Sequence, residues 1–234
     1  NGNANMLFVD GGNDKVSIGT ATQDLTLTVN ESLSIRNSNR AAGINVDSDG
    51  NVYFGTATTA SNIFFETGHT TTGLPSTGTT KMTIDGSGAV TMPLQPAFYA
   101  TPSSAQSNIA ANDSAITVAM GTEIFDVGSN FASSAFTAPV TGKYQLNLSL
   151  YLTTVDTGAS YVLVGIVTSN RNYINIVAPK YASDPAYLTQ NISTLADMDA
   201  NDTAYVFYQQ SGGAAQTDVQ DDTRGSFFQG YLVA

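Results

Sequence analysis

Apolar and polar positions alternate with period two along residues 1–92, in short runs such as Leu25-Thr-Leu-Thr-Val29 and Leu33-Ser-Ile35. Such alternation predicts half-buried strands. From Ala97 onward the runs lengthen and become more apolar, predicting strands over 116–120, 144–153, 161–168, 173–177, 203–208 and 226–233. Turns are expected at Asp156-Thr-Gly158, Ser183-Asp-Pro185 and Ser211-Gly-Gly213. No segment carries a sustained helical period. Residues 193–202 hold a brief helix-compatible stretch, but their clustered acids predict an exposed loop. The expected fold class is all-β. Pro93, Pro96 and Pro102 lie at a junction where a strand ladder would lose its donors. The predicted organisation is a repeat region over 1–92, a proline hinge over 93–96 and a sandwich or jelly roll over 97–234.

Three segments of the first region share one pattern: a β-branched residue, Asp, a Gly/Ser/Asn turn, then Val and an alternating strand. Asp10, Asp47 and Asp85 hold equivalent places in them, 37 and 38 residues apart. Asp-Gly and Gly-Asn pairs supply the positive φ of tight hairpins, so each unit reads as strand, turn, strand. Asp47-Ser-Asp-Gly-Asn51 has a superficial likeness to a calcium loop, but its Gly falls at the fourth position and no Glu stands at the twelfth. A turn role is the simpler reading. Units this small bury too little surface to offset chain entropy, whereas three chains around one axis can share an interior. Leu7, Val9, Val16, Ile44, Phe54, Ile63, Phe65 and Met92 are among the residues expected to fill it. A monomeric β-sandwich is the alternative. The repeats resemble the shaft repeats of bacteriophage tail and capsid fibres.

In the second region, Phe136-Thr-Ala-Pro-Val-Thr-Gly-Lys-Tyr144 leads into the alternating ladder Tyr144, Leu146, Leu148, Leu150 and Leu152. The chain closes on Ser226-Phe-Phe-Gln-Gly-Tyr-Leu-Val233. Both stretches resemble the signature of C1q-like domains, the trimeric jelly rolls related to tumour necrosis factor. That resemblance implies a homotrimeric C1q/TNF-like jelly-roll head on a trimeric β-repeat shaft. The anchor residues Phe136, Pro139, Gly142 and Tyr144 are expected to be core and turn residues, with Gly142 permitting the turn that Pro139 prepares.

Composition narrows the function. Of 234 residues only 12% are charged, with 8 Lys and Arg against 19 Asp and Glu, a formal net charge of −11. Scattered bases among so many acids argue against nucleic acid and anionic membranes as partners. The longest strongly apolar stretch, 161–167, falls far short of the roughly 20 residues of a membrane-spanning helix. Without Cys there is no disulfide, thiol catalysis or Cys-based metal site. The opening Asn1-Gly-Asn-Ala-Asn reads as a cut point within a longer polypeptide.

Candidate chemistry is sparse. His69 is the sole histidine, in a soft loop, and no G-x-S-x-G elbow occurs. Glu31, Glu66 and Glu123 are the only glutamates, and a paired-carboxylate depolymerase would need convergence that spacing does not reveal. The expectation is that the chain is not an enzyme. Asp218, Asp221 and Asp222 are candidate calcium ligands on symmetry-related loops, as some C1q-like heads hold calcium near the trimer axis; a solvated acidic rim is the competing reading. Arg171, Tyr173, Tyr181 and Tyr187, near turns and among Asn residues, are candidate receptor-binding residues, because Tyr and Arg there suit stacking and directional hydrogen bonds. The expected function is that of a virion fibre on the particle surface. Its partners would be itself as a homotrimer, other virion proteins, and a host glycan or protein. A purely structural decoration, a depolymerase and a secreted bacterial adhesin are the alternatives.

Overall fold

The computed structural model describes residues 8–10, 15–17, 32–37, 40–46, 50–56, 61–68 and 78–234. His69, Glu31 and the expected strand over 25–29 lie outside them. The chain divides into two compact units, Asn1–Met92 and Pro93–Ala234.

In the first unit, β1 (Phe8–Asp10) and β2 (Lys15–Ser17) form an antiparallel hairpin with Asp10 opposite Lys15. A three-stranded sheet comprises β3 (Ser32–Asn37), β4 (Arg40–Val46) and β5 (Val52–Thr56), and another β6 (Ile63–Thr67), β7 (Thr79–Ile84) and β8 (Val90–Thr91). Asp85 shows what the acid does in the third repeat. One carboxylate oxygen accepts the backbone N–H of Ser87 at 2.8 Å and of Ala89 at 2.9 Å and the Ser87 hydroxyl at 2.6 Å, closing the β7–β8 turn. Gly88 supplies the positive φ of 90°. The Ser87 hydroxyl above all, then the Ala89 amide, holds this carboxyl below its usual range. Apolar residues here remain open to solvent within one chain: Phe54 is 66% exposed and Val52 and Phe64 more than half.

The second unit contains β9 (Ala97–Thr101), β10 (Ile116–Thr117), β11 (Thr122–Val127), β12 (Phe131–Ala132), β13 (Ala135–Thr137), β14 (Gly142–Thr153), β15 (Tyr161–Thr168), β16 (Asn172–Val177), β17 (Leu188–Met198), β18 (Thr203–Ser211), β19 (Asp218–Val219) and β20 (Phe227–Leu232). One sheet runs β11-β9-β20-β14-β17, with β19 also on β14. The other runs β12-β13-β18-β15-β16, with β10 on β18. All pairs are antiparallel. From β13 on, the main strands alternate between the sheets, except that β15 and β16 pair as neighbours in one, and the last, β20, lies between β9 and β14. That interleaving is a jelly roll.

Its core is set by parity. On β14 the side chains of Tyr144, Leu146, Leu148, Leu150 and Leu152 are buried, while Gln145, Asn147 and Tyr151 face outward and are partly exposed. Phe98 stacks on Phe136 (4.6 Å between ring centroids) and Phe131 (5.1 Å) and meets Phe228 edge-on at 5.0 Å. Such pairs add to the free energy of apolar burial. The Tyr144 hydroxyl donates to the Val140 carbonyl at 2.8 Å, giving a buried phenol its partner.

Three expectations change. The loop expected over 193–202 is strand as far as Met198. β17 is a sheet edge whose inward positions include Gln190, Thr194 and Ala196, so its alternation is broken by polar and small residues. The strand expected over 116–120 stops at Thr117; beyond it, Met120 N–H donates to the Ser134 hydroxyl at 2.9 Å. Gly142 serves close approach as well as a bend: a Cβ there would lie 2.6 Å from both the Ala234 carbonyl oxygen and Leu232 Cδ1.

Candidate functional site

The jelly roll has two ends, and the candidate residues divide between them. Pro96 accepts a hydrogen bond from Leu232 N–H, and Lys143 N–H donates to Ala234. This places the first and last strands, with the turns at 138–142, 169–171 and 199–202, at one end. The opposite end gathers the loops over 154–160, 178–187 and 212–226.

Arg171 lies at the first end, where its Nη2 bonds both carboxylate oxygens of Asp197, at 2.8 and 3.0 Å. Asp197 is held below the usual carboxylate range by its own backbone N–H, then by the charges of Arg171 and Lys143. Both side chains are substantially exposed, 55% and 41%, so the pair adds little stability. Tyr173, on β16, packs against the core and is only partly exposed. Tyr181 and Tyr187 lie at the opposite end and are open to solvent. Tyr187 is 73% exposed, its ring centroid 5.9 Å from that of Tyr151. The four candidates therefore form no single patch.

The loops of the opposite end enclose an open cleft of about 470 Å³ bordered by Asn108, Thr154, Asp184, Pro185, Gln216 and Asp218. Asp184 is fixed from three directions: Thr157 donates through its N–H (2.9 Å) and hydroxyl (2.8 Å), and Gln216 through Nε2 (2.8 Å). Those donors, the Thr157 amide foremost, lower its pKa. Lys180 donates to the Ala159 carbonyl at 2.8 Å.

Asp218, Asp221 and Asp222 do different work within one chain. Asp218 Oδ1 accepts the Asn108 N–H at 2.8 Å, tying β19 to the loop between β9 and β10. Asp222 forms a forked pair with Arg224, at 3.0 Å to Nε and 2.7 Å to Nη2, and accepts the Arg224 N–H at 3.0 Å. The Arg224 side chain, then its amide, lowers the Asp222 pKa to about 2. Asp221 is exposed. Among the described residues no group of three or more His, Cys, Asp or Glu is disposed to hold a metal ion.

Sequence reasoning passed over a second concavity, on the outer face of the β18-containing sheet. It measures about 250 Å³, and Val167, Asn172, Tyr205, Phe207 and Gln209 line it. Its origin is Gly165 on β15, directly opposite Phe207 on β18. A Cβ at Gly165 would lie 2.1 Å from Phe207 Cε1, so the absent side chain lets the Phe207 ring lie across the sheet. A glycine inside an apolar strand, Tyr-Val-Leu-Val-Gly-Ile-Val, was the available signal.

No protein-family model and no curated protein matches the chain. Among solved structures, the globular domain of zebrafish complement 1qA protein is similar at 13% identity and a TM-score of 0.42, covering 60% of this chain and 98% of that one. Murine APRIL is similar at 14% identity and a TM-score of 0.44, covering 59% of this chain and 99% of that one. The jelly-roll assignment rests on the second unit's own strand order and burial.

Proposed function

We propose that the chain is a homotrimeric, non-enzymatic fibre segment of a phage virion, carrying a head that contacts the host surface. The observation that carries this reading is the outer face of the β14-containing sheet. Tyr99 contacts Phe227 (5.4 Å between centroids) and Phe125 (6.0 Å), and Tyr231 and Leu195 are about half exposed beside them. The intervening outward positions, Gln145, Asn147 and Ser193, are uncharged and bonded to one another at 2.8–3.1 Å. An aromatic face depleted of charge has the composition of an interface core, and a second copy of the chain is the occupant that the C1q-like resemblance implies. The fibre-like repeats and the exposed apolar residues of the first unit support the same assembly. In it, the end opposite Pro96, with Tyr181, Tyr187 and the Asp184 cleft, faces the host, and three copies raise the avidity of weak contacts. Other virion proteins would hold the shaft.

Light scattering of the purified chain tests the assembly. The expected mass is three times 24.4 kDa, and Leu195→Asp with Tyr231→Asp shifts it toward the single chain. A wild-type chain that stays monomeric at micromolar concentration overturns the reading.

A further inference from the structure

We propose that the pocket over Gly165 binds one ring of a neutral saccharide. The inference concerns the side of the head and does not depend on the chain being a viral fibre. Strand register builds the pocket. Tyr205, Phe207 and Gln209 take alternate positions on β18 and share its outer face, while Val206, Tyr208 and Gln210 are buried beneath. Val167 lies opposite Tyr205 on one side and Asn172 on the other, and Thr117 on β10 lies opposite Phe207. The result is an apolar floor of Val167 and the edge of Phe207, itself only 6% exposed, within a ring of two amides and two hydroxyls.

Those polar groups are available to a ligand. Gln209 uses Nε2 to donate to the Tyr161 hydroxyl at 2.8 Å, and its side-chain carbonyl oxygen accepts no hydrogen bond among the described residues. The side chains of Asn172, Thr117 and Tyr205 make no hydrogen bond among the described residues. Amides and hydroxyls both donate and accept, which matches the hydroxyls of a sugar, and an apolar floor matches the C–H face of a pyranose. The lining contains neither a basic nor an acidic side chain, so nothing offsets the desolvation of a charged ligand. A volume of about 250 Å³ lies just below the usual range of roughly 300–1,000 Å³ for ligand pockets, which suits a single ring.

Saturation-transfer NMR on the full chain tests this, with maltotriose, mannotriose and N,N′,N″-triacetylchitotriose as neutral probes and trigalacturonic acid as the acidic control. Transfer is expected to at least one neutral probe at about 10 mM, in the weak range suited to a one-ring site. In the double variant Asn172→Ala, Thr117→Val, affinity should fall about tenfold, as expected for the loss of roughly two neutral hydrogen bonds. Both positions are exposed, so an unchanged melting temperature will show that the fold is intact. Gly165→Ala, which displaces Phe207, should abolish transfer and serves as a second, independent variant. No transfer to any neutral probe, equal transfer in the folded double variant, or preference for the acidic control would overturn the assignment.

Discussion

Both units obey period-two alternation, yet they bury it differently. In β14, five of the alternating positions, Tyr144 to Leu152, are essentially inaccessible because a second sheet of the same chain covers them. In β5 every residue is exposed, Phe54 at 66%. Alternation therefore specifies a strand with an apolar face, while the cover for that face is a separate property of the chain. The head supplies its own cover; the described sheets of the first unit do not, and other copies of the chain are the proposed source.

The largest expected effect is in the head. Phe136→Ala removes a ring packed between Phe98 and Tyr144 and should cost about 3–5 kcal/mol, read as a fall in the head's denaturation midpoint. A loss below about 1 kcal/mol would mean that the head's core is not closed as described. Next comes Phe54→Ser, at a residue exposed in the single chain. If copies cover it, each chain loses about 1.5–3 kcal/mol of burial; the trimer should then dissociate at higher protein concentration while the head's own midpoint stays fixed. No change in association would leave the first unit's apolar residues without a partner copy.

The smallest effect belongs to the acidic rim. The Arg224 side chain, then its amide, lowers the Asp222 pKa to about 2 from an ordinary value of 3.8. The contribution of Asp222 to stability is thus complete above the unfolded value and is lost as pH falls from 3.8 toward 2. An NMR titration should place its midpoint near 2, and Arg224→Gln should raise that midpoint toward the ordinary carboxylate value while lowering the melting temperature at neutral pH only slightly, because the pair is exposed. A midpoint unaltered by that substitution would release Asp222 from Arg224 and return it to the pool of free rim oxygens.

Much of the head was legible because its determinants are local. The ladder Tyr144 to Leu152, the turn glycines at 212 and 213 and the aromatic Phe136 announce strands and core by spacing alone. β17 was hidden because an edge strand alternates weakly, with Gln190 and Thr194 facing inward. The candidate residues fared less well for a topological reason. Arg171 and Tyr181 are ten residues apart in sequence, but β16 lies between them and carries them to opposite ends. The pocket over Gly165 depends on the pairing of Gly165 with Phe207, 42 positions later. No periodicity within a strand reports which residue of another strand lies beside it.

The position of β20 has a consequence for synthesis. This strand, the last of the head in chain order, inserts between β9 and β14 and carries Phe228 into the aromatic core. Until it arrives, the β9–β11 pair has no link to β14 and β17, and the head cannot close before residues 227–232 are made. A chain cut short after β18 would lack a central strand and keep its core open to chaperones and proteases. The fold thus makes closure of the head conditional on β20: only a chain that includes that strand can bury the head's aromatic core.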